Sequence, residues 1–196
     1  MAGRPREHDQ QTARALLDEA ERLVEAEGAA ALTVRRVADG VGVSTRAVYS
    51  VYGSKDGLLV ALGVRGFELL GRQVEARPRT DDPAADLVEA ALMYRRFSND
   101  HPSLWALGVQ YVPESGAVNV VAWESLNLLK EKVGRLRLHG RTVDQATLQF
   151  HALCEGMAAV ELRGMSGVAD WEAIWRQGFA ALVSGFAQPA TVSHSA

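Results

Sequence analysis

VRRVADGVGVSTRAVYSVYGSK, from Val34 to Lys55, decides how the rest of the chain is read. Val34, Val37, Ala38 and Val41 recur at i, i+3, i+4 and i+7, which is one face of a short helix. Thr33 stands where a hydroxyl caps that helix. Gly40 and Gly42 supply a turn, Ser44 caps a second helix and Gly53 breaks it. Two short helices joined by a tight Gly-containing turn form a helix-turn-helix pattern. On the second helix Val48 and Tyr52, four apart, face inward with Val51 nearby. Thr45, Arg46, Tyr49 and Ser50 face the other way.

An outward face of Thr, Arg, Tyr and Ser is unusual for plain solvent, where Glu and Lys are commoner. It suits a DNA groove. Arg makes a bidentate contact to guanine, and Thr offers a hydroxyl and a methyl to base edges. Tyr and Ser hydroxyls reach phosphates. A phosphate near Ser54 and Lys55 would meet a helix N-terminus and a lysine together, and Thr33 offers the same at the preceding helix start. The competing reading is that any small helical hairpin carries capping Ser and Thr. Arg46 serves equally as a base reader or a phosphate contact. Arg35 and Arg36 read first as solvated, and Arg4 and Arg6 as either a solvated terminus or an arm reaching a neighbouring groove.

Working outward, Asp9 or Thr12 caps a first helix carrying Ala13, Leu16, Leu17, Ala20, Leu23 and Val24, and Gly28 stops it. Ser54 caps a long helix from Lys55 to about Ala76. Arg77 to Pro83 is a polar, proline-bounded linker. Helical periods resume from Ala84 to Ser98, pause at Asn99–Pro102, and continue from Leu104 to Val109, from Pro113 to about Leu138, from Thr142 to Met165 and from Trp171 to Phe186. Residues 188–196 have the composition of a loose tail. The expected fold is all-α, with about nine helices: residues 1–54 as a helix-turn-helix domain with a flexible N-terminal arm, 55–76 as a connecting helix, and 84–187 as a second helical domain.

Composition narrows the function classes. Hydrophobic residues make up 47% of 196, enough for a packed core and too many for a disordered chain. No apolar run approaches the roughly 18 residues of a membrane span, and no apolar segment follows the polar start. One cysteine, Cys154, cannot form an internal disulfide, and no zinc spacing exists. A cytoplasmic protein with no cofactor is expected. Net charge is −3, yet Thr33 to Lys55 carries +3, leaving −6 on the rest. A small basic patch on an acidic body suits one local DNA-contacting surface, and it suits chance clustering too.

Thr33, Val37-Ala38, Gly42-Val43-Ser44, Tyr49, Gly53-Ser54-Lys55 and Leu58-Leu59 resemble the DNA-binding domain of TetR-family regulators. The family commonly has Tyr-x-His-Phe where this chain has Tyr49-Ser50-Val51-Tyr52. The missing His removes one usual phosphate partner, and Tyr52 replaces a packed Phe. The resemblance covers about the first third of the chain. It implies that Thr33, Ser44, Thr45, Arg46, Ala47, Tyr49, Ser50 and Lys55 touch DNA. His101-Pro102, Leu104-Trp105 and Gly156 with Glu161-Leu162 resemble a subgroup named for a Trp-His-Gly signature, which reads Cys154-Glu155-Gly156 here.

A palindromic operator needs two reading heads about one helical turn apart, so a homodimer is expected. Ala152, Gly156 and Ala159 form one small-residue strip. Gly178, Ala181 and Gly185 form another, and Trp171, Ile174, Leu182 and Phe186 add apolar area. The alternative is ordinary packing within one subunit; the TetR resemblance implies a four-helix dimer interface. Phe97, Trp105, Tyr111, Trp123, Phe150, Cys154 and Met157, with Met93 and His151 nearby, either line an apolar cavity or belong to the core. The resemblance implies a small-molecule effector. The expectation is a homodimeric, ligand-responsive repressor of a double-stranded operator, with an activator or ligand-blind regulator as alternative. A remote alternative is an all-α enzyme using His151, Cys154 and Glu155, which would need a thiol of depressed pKa.

Overall fold

The computed structural model describes residues 4–111, 126–164, 167 and 170–188, with side chains from residue 9 onward. All regular structure among them is helical. The helices are α1 (Arg4–Glu27), α2 (Val34–Val41), α3 (Thr45–Tyr52), α4 (Lys55–Glu75), α5 (Pro83–Asp100), α6 (Pro102–Gln110), α7 (helical residues 126–133), α8 (Val143–Leu162) and α9 (Trp171–Phe186), with a single 3-10 turn at Ala29–Ala31.

The caps explain most boundaries. Thr33 Oγ1 accepts from the Arg36 N–H at 3.2 Å, and Ser54 Oγ accepts from the Gly57 N–H at 2.9 Å. Thr142 and Gln145 form a reciprocal capping box at the start of α8. Asp170 Oδ1 accepts from the Ala173 N–H at 2.9 Å, opening α9 at Trp171. Four expectations shift. Helix α1 begins at Arg4, a full turn or more before Asp9 or Thr12; Pro5 is tolerated there because N–H groups in a first turn have no intrahelical partner. Helix α5 continues through Asn99 and Asp100, so only His101 separates it from Pro102. Helix α7 ends at residue 133, not near Leu138, where Gly134 enters a turn. Helix α8 ends at Leu162, followed by Gly164 at φ +63°. The expected start of a helix at Pro113, Met165 and the tail 189–196 lie outside the described residues.

The chain divides into two compact units: Met1–Glu68 with His101–Ala122, and Leu69–Asp100 with Trp123–Ala196. In the first, Leu16, Ala20 and Val24 of α1 are fully buried with Val37 and Ala38 of α2, Val48 of α3, and Leu58 and Leu62 of α4. Helices α4 and α6 cross at two glycines: a Cβ on Gly63 would stand 3.1 Å from Gly108 backbone atoms. In the second, α5, α8 and α9 share an aromatic core. The Trp175 ring stacks on Phe179 at 5.4 Å between centroids and on Tyr94 at 6.4 Å. Phe150 meets Phe179 at 4.8 Å. Glu161 joins the three helices, accepting from Arg95 Nη2 at 2.7 Å and from the Trp175 indole N–H at 2.8 Å.

Candidate nucleic-acid interface

Helices α2 and α3 meet through a turn that its residues specify. Gly42 takes φ +75°, a left-handed conformation that a side chain would strain. Its N–H and that of Val43 then close onto the Asp39 and Ala38 carbonyls, the Val43 bond at 3.0 Å. Gly40 lies inside α2 and is not part of the turn. Ser44 occupies the cap position of α3, but its hydroxyl makes no capping hydrogen bond, so it stays available.

Helix α3 is held from beneath. Val48 is fully buried. Tyr52 is half-buried, and its hydroxyl donates to the Ala13 carbonyl of α1 at 2.7 Å. Burial raises the Tyr52 pKa, so the phenol stays a donor. A Phe in this place could not make that bond. Val51 corrects the sequence reading: it is 38% exposed, because it lies on the flank between the anchored and free faces. A further residue was not legible in the pattern. A Cβ on Gly57 would fall 2.0 Å from the Tyr52 carbonyl oxygen, so only glycine lets α4 start this close to the end of α3.

The free face carries Thr45, Arg46, Tyr49 and Ser50, all exposed. Tyr49 is 52% exposed, a large area of aromatic surface. Thr33, Ser44 and Lys55 are exposed beside them, and Ala47 is half-buried. Ion pairing sorts the four cations of this segment. Arg36 is bound to Glu27 by a two-pronged contact, at 2.6 and 2.9 Å, and also donates to the Ala31 carbonyl. This bond raises the Arg36 pKa and lowers that of Glu27. Arg35 lies 3.8 Å from Asp39. Arg46 and Lys55 have no partner among the described residues. Among the described residues the patch therefore has Arg46 and Lys55 unpaired and Arg35 in a solvated contact only, while Arg36 is tied to Glu27.

The remaining predicted residues fall as follows. Phe97, Phe150 and Cys154 are buried in the core of the second unit and Met157 is half-buried. Trp105 and Tyr111 belong to the first unit, and Trp123 lies outside the described residues. A cavity of about 180 Å³ in the second unit is lined by Met93 and by none of the other described residues named for a pocket. A more open one of about 300 Å³ lies between α1 and α4 in the first. His151 Nε2 is 3.0 Å from Glu155, and its ring meets Tyr94 edge-on. Burial, and secondarily the charge of Glu155, push the Cys154 thiol well above its ordinary range. That is the reverse of an activated nucleophile.

On α8 and α9, Ala152, Gly156, Ile174 and Ala181 are exposed, and Ala159, Trp171, Gly178, Leu182 and Gly185 are partly so. Phe186 departs from the interface expectation: it is 1% exposed, beneath the Arg141 guanidinium 5.2 Å from its ring. Its area is already covered within the chain. Leu148, which the small-residue strips did not single out, is 64% exposed on the face of Ala152 and Gly156.

Residues 16–62 match the family model for bacterial regulatory proteins of the tetR family. No curated protein matches the chain in sequence. Similar solved structures include a protein of unknown function from Rhodococcus sp. RHA1, with 24% identity over 90% of this chain and 96% of that one, and a TM-score of 0.79. The transcriptional regulator SCO7222, a TetR from Streptomyces coelicolor, has 17% identity over 89% of this chain and 96% of its own, at 0.72. A TetR variant from Acinetobacter baumannii AYE, solved in complex with minocycline, has 17% identity over 87% and 93%, at 0.67. The chain thus carries a tetR-family helix-turn-helix domain at its N-terminal end, within the all-α fold of TetR regulators.

Proposed function

We propose that this protein is a homodimeric transcriptional repressor that reads a palindromic DNA operator and is released by a small molecule. The observation that carries the reading is the free face of α3. Arg46 has no ion pair among the described residues, and Tyr49, Thr45 and Ser50 are exposed beside it. Arg46 would contact a guanine edge, and Thr45 its neighbour, while Tyr49, Ser50, Ser44 and Thr33 would reach phosphates. Ala47 would allow close approach. Lys55 would add its charge to the N-terminus of α4. In this reading residues 1–54 bind DNA, 55–76 connect, and 84–187 sense the ligand and pair the subunits.

The exposed faces of α8 and α9 support the dimer. A Cβ on Gly156 or Gly185 would meet nothing within 4 Å among the described residues. Glycine in a helix interior costs about 1 kcal/mol against alanine, so its use at Gly156, with no need for it among the described residues, suits contact with another copy. The fold's likeness to a TetR variant holding minocycline supports a ligand-responsive role. The Trp-His-Gly subgroup fits at His101-Pro102 and Glu161-Leu162 but departs at Cys154-Glu155. Ligand would bind one of two states better and so shift the spacing of the reading heads.

The test is mobility shift on DNA upstream of the protein's own gene, extended to selection from random sequences, across a salt series. Specific binding with two chains per site is expected. Arg46→Ala should cost about 1–3 kcal/mol and relax preference at one base position. Failure of the selection to enrich any sequence would overturn the reading.

A further inference from the structure

The cavity of about 180 Å³ in the second unit is lined by a lysine that pairs with no acid among the described residues. Its walls come from Val74 of α4, the linker residues Arg77, Pro78 and Thr80, Asp86, Glu89, Ala90 and Met93 of α5, and Lys132 of α7. Lys132 is only 9% exposed. It has no ion pair or hydrogen bond to any described residue. Burying an ammonium without a partner is costly, because the solvation it gives up is not replaced.

The two acids of the cavity are already engaged. Asp86 accepts from Arg135 at 2.6 Å, from the Thr80 hydroxyl at 2.7 Å and from the Thr80 N–H at 3.0 Å. Glu89 accepts at 3.0 Å from Arg176, which also donates to Glu172 at 3.2 Å. Arg79 on the same linker pairs with Glu131 at 2.9 Å. Lys132 and the exposed Arg77 are the cations left over. The rest of the wall is apolar: Val74, Pro78, Ala90 and Met93. The site therefore combines a missing negative charge with a hydrophobic lining, in a volume below the roughly 300 Å³ where drug-sized pockets begin.

We propose that this cavity binds a small organic carboxylate, with a single ring or a short chain, whose carboxylate pairs with Lys132 while its hydrocarbon part rests on Met93, Val74 and Ala90. The inference deepens the ligand-responsive reading by naming the effector's chemical class. Its test reads binding directly, so it stands or falls apart from any effect on DNA.

The experiment is titration calorimetry on the full chain with benzoate, phenylacetate and hexanoate, against benzamide, phenylacetamide, hexanamide and inorganic phosphate. At least one carboxylate should bind below millimolar Kd, and its neutral amide about tenfold or more weaker, since a buried charge-assisted bond is lost. Lys132→Met keeps the aliphatic stem and should abolish that preference without lowering the melting temperature. Lys132→Arg should retain part of it. Binding by none of the three carboxylates would overturn the proposal. So would equal binding of the amide, of phosphate, or by K132M. A carboxylate that binds through Lys132 but does not change DNA affinity would uphold the site and count against the effector role alone.

Discussion

Replacing Glu161 by alanine should loosen the second unit. The carboxylate is 7% exposed and accepts from Arg95 Nε at 3.0 and 3.1 Å, from Arg95 Nη2 at 2.7 Å and from the Trp175 indole at 2.8 Å. It is thus the common acceptor for donors on α5 and α9. Removing one partner of a fully buried pair costs about 3–5 kcal/mol, against at most about 1 kcal/mol for a surface pair. The Arg95 side chain is 22% exposed, so the guanidinium recovers part of its solvation from water, and about 2 kcal/mol is the fair share. The stranded indole N–H adds about 1 kcal/mol or more. The sum is about 3 kcal/mol, or about 6–12 °C in Tm for a chain of this size. The assay is urea unfolding followed by helical circular dichroism, at one fixed protein concentration because oligomerisation shifts the midpoint. Glu161→Gln keeps an acceptor and should cost less. Trp175→Phe combined with Glu161→Ala should be less than additive. A loss below about 1 kcal/mol for E161A would mean that water replaces these bonds freely, and it would refute the view of Glu161 as the tie among the three helices.

Three further outcomes are expected. Tyr52→Phe removes the bond to the Ala13 carbonyl and should cost about 1 kcal/mol, seen as a lower urea midpoint with operator sequence preference unchanged; no loss would show the bond idle. Leu148→Glu places a charge on the exposed face of α8 and should shift the chain from dimer to monomer in analytical ultracentrifugation while leaving its helix content intact; an unchanged dimer would put the interface elsewhere. The third concerns acid. Burial alone would raise the Asp86 pKa, but bonds from Thr80 and Arg135 outweigh it and hold it below the ordinary range. A depressed carboxylate contributes stability above its unfolded value of about 3.9, and that contribution disappears as pH falls through the folded pKa. The Tm advantage of the native chain over Asp86→Asn should therefore be steady near neutrality and close in acid; a gap that is constant through strong acid would contradict the assignment.

Sequence alone determined the all-α class and most helix boundaries, since caps and apolar periods are local. Thr33, Ser54, Thr142 with Gln145, and Gly53 act within a few residues of themselves, so their positions announce helix ends before any folding is known. The face of α3 was legible for the same reason: a helix of fixed period puts Arg46, Tyr49 and Ser50 on one side wherever it sits. What depends on distant partners was not legible. Four basic residues between Thr33 and Lys55 look alike in the sequence, yet Glu27, nine residues before Arg36, withdraws that one from the surface charge. Glycine at position 57 is unremarkable until the Tyr52 carbonyl is seen beside it. Aromatic residues of α5, α8 and α9 have the composition of either a core or a pocket, and only tertiary packing decides that Phe97, Phe150 and Phe186 are buried. Lys132 is one charge among 21 lysines and arginines in the chain. That it is buried beside a cavity, with the nearby acids taken by Thr80, Arg135 and Arg176, is decided by tertiary structure, because burial and pairing belong to neighbours in space and not to neighbours in sequence.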